Sequence, residues 1–323
     1  MRYLLIMLIS GLLTACGSIN LVPTQAPVLR LNEVHGLGAT RVEFNDDGSK
    51  MATGGHLGEI YIWTVPEGKK LQTLKQHDKR VKGLIWVGDT ALVSGSEDGQ
   101  ITVWDVANQK LLKTVSRAPV ATLQYLPQQK HILSGHQDGN IHVWRYPDLK
   151  LLATRKMSAA IRSIAIHPNF QQLAIATDDS KVGLYDLSFK QLKTLPTADK
   201  NAQELQYSPD GKQLVAGTWF DLHYWNLKTG KLTIKDTEHA GAIISVDFSP
   251  DGKRLATLGR HTDANIRIRK IGANTFERRL RAHNLCGYHV RYSPNGRYLA
   301  SASEDESIRL YDVAAPYNPT WGE

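Results

Sequence analysis

Cysteine is nearly absent. The 323 residues hold two, Cys16 and Cys286, too few for the disulfide framework that staples small secreted domains. No apolar run is long enough to cross a bilayer, since Leu4 to Leu13 is interrupted by Ser10 and Gly11 and stops well short of about 20 residues. The signatures of common hydrolytic and phosphate chemistry are missing as well. There is no Gly-x-Ser-x-Gly, no His-Glu-x-x-His and no glycine loop placed to cradle a phosphate; Gly54-Gly55-His56-Leu57-Gly58 reads as a loose turn. The histidines are dispersed, with no pair at metal-ligand spacing on one element, and the carboxylate pair Asp178-Asp179 falls in a turn. Nor does any basic stripe alternate with aromatics, so nucleic acid is not an expected partner. From the residues alone no catalytic residue, metal site or cofactor is expected.

What is present is a repeat. An apolar-turn-apolar unit ends at Trp63, Trp104, Trp144, Tyr185, Trp225, Arg269 and Tyr311, at spacings of 41, 40, 41, 40, 44 and 42 residues. A period near 40 that finishes on an aromatic marks an array of small sheets. The second unit is the clearest: Val81 to Trp86, Ala91 to Ser96, Ile101 to Asp105 and Lys110 to Val115 are short, alternating or β-branched, and bounded by Gly, Asp or Asn. Each reads as a strand. Ser-Pro-Asp-Gly at Ser208 to Gly211 and Ser249 to Gly252 predicts a turn between first and second strands, because Pro presets φ and Gly tolerates positive φ.

These units resemble the WD-repeat β-propeller family over roughly residues 28 to 313. The resemblance implies an all-β fold, a seven-bladed propeller of four-stranded antiparallel blades. It also implies a hydrogen-bonded tetrad inside each blade, and His77, Ser94, Asp98 and Trp104 form the one complete set. Blade seven offers His283, Ser301 and Asp305 with Tyr311. Blade three has Ser134, Asp138 and Trp144 but no His, and blade one has His35, Thr53 and Trp63 with Leu57 where the Asp should be. Blade four keeps Asp179 and Tyr185, blade six keeps His239 and ends at Arg269, and blade five carries Trp219 in the Asp position. Blades four to six are therefore the less regular side. After Asp312 the chain runs into Ala314-Ala315-Pro316 and cannot supply a good fourth strand. Val28 to Val34 stands where that strand is needed, so an N-terminal strand is expected to close blade seven and remove the open edge.

The first residues carry a second signal. One positive charge at Arg2, the short apolar run and Leu13-Thr14-Ala15-Cys16 read as a signal peptide, residues 1–15. The small residue before Cys16 resembles the bacterial lipobox, in which the cysteine is acylated and becomes the new N-terminus. Residues 16–27 are then a lipidated tether and 28–323 the propeller. Gly17 is not the Asp that would suggest inner-membrane retention, so in a Gram-negative cell the outer membrane facing the periplasm is favoured. With Cys16 taken by lipid, Cys286 is left alone, and burial as a small apolar filler is the expectation.

The formal net charge is +8, carried in part by Lys69, Lys70, Lys110, Lys113, Arg278, Arg279 and Arg281, which read as exposed outer-edge charges. Partner contacts in the family come from one face, at the start of each first strand and before the turn Asp. Carried over, that face holds Arg80, Lys82, Glu97, Arg162, Asp178, Tyr288 and Glu304, together with Thr40, His56, Gln137, Asn201, Gln203 and Thr218. Trp219 and Phe220 stand out as aromatics at a turn tip, either an interface anchor or a cover for the missing tetrad. The expectation is a membrane-anchored, monomeric, non-catalytic protein-binding platform in a bacterial envelope, its protein partner unidentified. A funnel-sited hydrolase or lyase and a binder of anionic envelope polymer stay open, because propeller sites join residues far apart in sequence.

Overall fold

The computed structural model describes residues 23–198, 201–260, 263–281 and 283–320. The expected signal peptide, residues 1–15, and the expected acylation site, Cys16, lie outside them. Seven four-stranded antiparallel sheets are arranged in sequence order around a central channel. Blade two, for example, consists of Val81–Val87, Ala91–Ser96, Gln100–Asp105 and Lys110–Ser116. Its two middle strands are almost wholly buried whereas its outer strand is mostly exposed, as the alternation and the lysines at Lys110 and Lys113 dictate. The core lies between blades: Ile60, Ile62 and Leu74 of blade one pack with Leu84, Trp86 and Trp104 of blade two.

Closure follows the expected route. Leu29–Leu31 pairs antiparallel with Ile308–Asp312, Leu29 facing Leu310 and Leu31 facing Ile308. Leu29, Leu31 and Val34 pack against the cluster shared by blades one and seven. The preceding residues differ from the expected tether. Thr24 and Gln25 are buried; Gln25 N–H donates to Arg279 O at 2.9 Å, its side chain donates to Asp312 O at 3.0 Å, and Thr24 bridges Thr320. They cover the edge of blade six, whose outer strand, Arg278–Leu280, is only three residues long. Arg278, expected as an exposed edge charge, is buried there and donates to Ala315 O at 3.0 Å.

The blade two tetrad is complete: Trp104 Nε1–H donates to Ser94 Oγ at 2.9 Å, His77 Nε2 shares the Ser94 hydroxyl at 2.8 Å, and its Nδ1 meets Asp98 at 3.0 Å. Other blades rebuild it with residues the spacing did not single out. Blade one lacks the Asp at Leu57, but Glu59 reaches His35 Nδ1 at 3.2 Å from two residues further on. Blade three supplies its imidazole from the second strand, His136 meeting Ser134 at 2.7 Å. Blade six places Asp263 against His239 at 3.0 Å, while Arg269 occupies the Trp position. Cys286 is buried, as expected of an apolar filler.

Blade five lacks its tetrad for a geometric reason. Gly217 faces Leu222 across its turn, five residues apart, where Gly95 faces Ile101 in blade two, six apart. The shorter turn has no room for the Asp-Gly pair. Phe220 adopts the left-handed φ of 69° that Gly99 takes at 85°, and Trp225 Nε1–H donates instead to Pro196 O at 2.7 Å.

Burial lowers the pKa of His35, His136 and His283, brings His142 and His239 down to about 4 and His289 to about 3. The unfolded chain takes up these protons near pH 6.5, whereas the folded chain resists them. Stability from these groups is therefore complete above pH 6.5 and falls as pH drops toward 4. Glu43 and Asp247, raised by burial, offset part of the loss. Thermal melting followed from neutral pH to pH 4 should show a melting temperature that declines through this window. A flat profile would contradict the burial of neutral imidazoles.

Candidate functional site

In six blades the first strand carries a β-bulge near its start, the register shifting around Thr40, Lys82, Ala121, Arg162, Ile244 and Tyr288. A bulge leaves one residue unpaired and re-aims its side chain. Five of these residues, together with Thr122, line the mouth of a channel of about 850 Å³; the sixth, Thr40, is buried and donates to Val81 O at 2.7 Å. Turns after the second strands flank the same mouth, as Glu97 N–H donates to Arg80 O and Glu304 N–H to Cys286 O, each at 2.9 Å.

Around this mouth the structure brings together Arg80, Lys82, Arg162, Asp178 and Tyr288, all expected, and adds Arg260. The guanidinium carbon of Arg80 lies 4.3 Å from the Tyr288 ring centre and that of Arg260 5.2 Å away, while the phenol donates to Glu304 at 3.3 Å. Arg162 pairs with Asp178. Burial, then Arg41 and Arg80, lower the Lys82 ammonium to about 7. Trp219 and Phe220 are 44% and 49% exposed on the blade five turn, ring centres 6.0 Å apart. They do not line the channel itself.

Deeper in the channel lies a charge network absent from the expectations. Arg291 donates to Glu43 at 2.9 Å and to Asp247 at 3.2 Å and lies 3.7 Å from Glu204, which also pairs with Arg41 at 3.7 Å. Glu204 accepts from Ser245 Oγ at 2.7 Å. Burial opposes its ionisation, but His289, Arg291 and Arg41 outweigh that and hold it well below the usual carboxylate range. These residues come from blades one, five, six and seven, so the network ties blades five and six to blades seven and one across the channel. Their signal in the sequence was charge at inward positions of an otherwise apolar strand, as in Arg41-Val42-Glu43.

Among the described residues no group of three His, Cys, Asp or Glu could hold a metal ion, and no helix is long and apolar enough to cross a membrane. Residues 6–246 match the family described as the DDB1- and CUL4-associated factor 12 beta propeller, about three quarters of the chain. The chain belongs to the WD-repeat β-propeller family. Residues 230–269 and 274–312 each match the WD domain, G-beta repeat, so the irregular sixth blade is a member of the series in spite of Arg269.

Similar WD-repeat proteins include Transcriptional corepressor LEUNIG_HOMOLOG of Arabidopsis thaliana, 22% identical over 83% of this chain and 34% of its own length. Anaphase-promoting complex subunit cdc20 of Dictyostelium discoideum is 24% identical over 85% of the chain and 48% of its own length. Actin-interacting protein 1 of Drosophila melanogaster is 25% identical over 97% of the chain and 44% of its own length. The chain thus spans less than half the length of each.

Proposed function

We propose that this WD-repeat propeller is a protein-binding platform, held at a membrane of a bacterial envelope by acylation of Cys16, and that its partner binds at the channel mouth. One observation carries the reading: a single face gathers Arg80 and Arg260 around Tyr288, with Lys82 lining the same channel, and also presents half-exposed Trp219 and Phe220. Cations and aromatics on one rigid face are the ingredients of interface hot spots. The relatives' names support it at the level of class, since they denote a corepressor, a subunit of a complex and an actin-interacting protein. Lys82, partly neutral near pH 7, favours the alternative of a funnel enzyme, but among the described residues no His or carboxylate hydrogen-bonds to it as a general base would have to be held.

The anchor rests on Leu4 to Cys16 and has its own test. Cys16→Ser should abolish incorporation of labelled palmitate and release the protein into the detergent-free fraction. Equal labelling of wild type and variant would overturn the lipid anchor and leave the platform to be judged separately.

A further inference from the structure

The channel's cations divide into two groups. Arg41, Arg162 and Arg291 each face a carboxylate within ion-pair distance. Arg80, Lys82 and Arg260 do not: among the described residues no Asp or Glu lies within ion-pair distance of any of them. Nε of Arg80 and of Arg260 is buried and makes no hydrogen bond; the same holds for Arg162, but Arg162 has the Asp178 carboxylate and these two have none among the described residues. Both guanidinium groups are brought to the same ring, Tyr288, which collects like charge at one point of the mouth rather than dispersing it. Holding unpaired donors partly out of water is costly, and a bound anion would relieve the cost.

We infer that the channel mouth binds a carboxylate-rich peptide segment of the partner, with Arg80 and Arg260 as its chelating donors and Lys82 beside them in the channel. This rests on the reading of the mouth as the partner-binding face and names the chemistry of what it takes. A concave site suits an extended chain better than a flat lipid surface, which the recessed cations could not reach together. Guanidinium groups match carboxylates two bonds at a time. Asp178, Glu97 and Glu304 put negative charge beside these cations and confine the attraction to their cluster, which suits a short acidic segment and disfavours a long, uniformly charged nucleic-acid backbone. The charged groups facing Lys82 are Arg41, Arg80, Arg260 and Glu97, three of them cations, so an anion that displaces their repulsion should bind with proton uptake. Affinity should therefore fall as pH rises through about 7.

The test uses the full chain in detergent and a fluorescein-labelled oligo-aspartate peptide, with oligo-asparagine of the same length, inorganic phosphate and single-stranded DNA as competitors. Wild type should bind oligo-aspartate, with displacement by unlabelled oligo-aspartate and not by oligo-asparagine. Arg80→Gln and Arg260→Gln should each weaken binding about tenfold, the loss of one charge-assisted pair, with melting temperature unchanged. Arg80→Lys and Arg260→Lys, which keep charge and give up the planar fork, should restore part of the affinity and guard against a folding defect. Equal binding of the aspartate and asparagine peptides, unchanged affinity in both Gln variants, or displacement by phosphate or DNA alone would overturn the proposal. The platform reading of the mouth falls by a different result, crosslinking of the partner to the outer strands of the blades rather than to the mouth.

Discussion

A chain that begins at His35 should fail to unfold cooperatively and should aggregate on heating. Removing the preceding residues takes away Leu29–Leu31, and with it the pairing that covers the edge of Ile308–Asp312. It also strips Leu29, Leu31 and Val34 from the cluster built by Ala39, Val42, Ala300, Ile308 and Leu310. Each lost apolar side chain is worth roughly 1.5 to 3 kcal/mol when fully buried, and these are partly buried, so a few kcal/mol leave with packing alone. The larger effect is topological. Without this strand blades one and seven are joined only by inner contacts, and an unpaired apolar edge is a template for other chains. Loss of Thr24 and Gln25 uncovers blade six as well. Calorimetry and light scattering check this; a truncated chain that melts like the full one would show that the ring closes elsewhere.

The second large effect separates structural from binding aromatics. Trp104→Ala should cost about 3 kcal/mol or more, because the indole is buried at 4% exposure and its N–H is part of the complete tetrad with Ser94, His77 and Asp98. Replacing Trp219 and Phe220 together with Ala removes half-exposed rings from a turn that has no tetrad, and should leave the melting temperature nearly unchanged. Partner capture should follow the opposite order, lost in the double variant and retained by the folded fraction of Trp104→Ala. Should the double variant instead lose as much stability as Trp104→Ala while still capturing partner, the two rings are filler and the contact lies among Arg80, Lys82, Arg162 and Tyr288.

The fold was legible because a 40-residue period, short strands and turn signals all point one way, and even the closing strand could be placed by the failure of Ala314-Ala315-Pro316 to continue a sheet. Tetrads were legible only where spacing was kept. Glu59, His136 and Asp263 do the same work from shifted positions, and a register counted in sequence cannot see a carboxylate that reaches back or an imidazole borrowed from the next strand. Blade five misled for the same reason: counting back from Trp225 puts Trp219 at the Asp position, whereas the turn is one residue shorter. Of the mouth, Arg80, Lys82, Arg162 and Tyr288 were legible from strand starts. Their convergence with Arg260, and the network around Arg291, depend on how seven first strands face one another across a channel, which no single stretch of sequence encodes.

The partner is proposed to bind at the channel mouth rather than on the outer strands of the blades. A photoreactive phenylalanine analogue introduced at Trp219, and separately at Leu112 on the exposed outer strand of blade two, tests it in intact cells by the adducts each site yields. The mouth reading predicts one discrete adduct from position 219 and none from position 112. A discrete adduct from position 112 alone would contradict it.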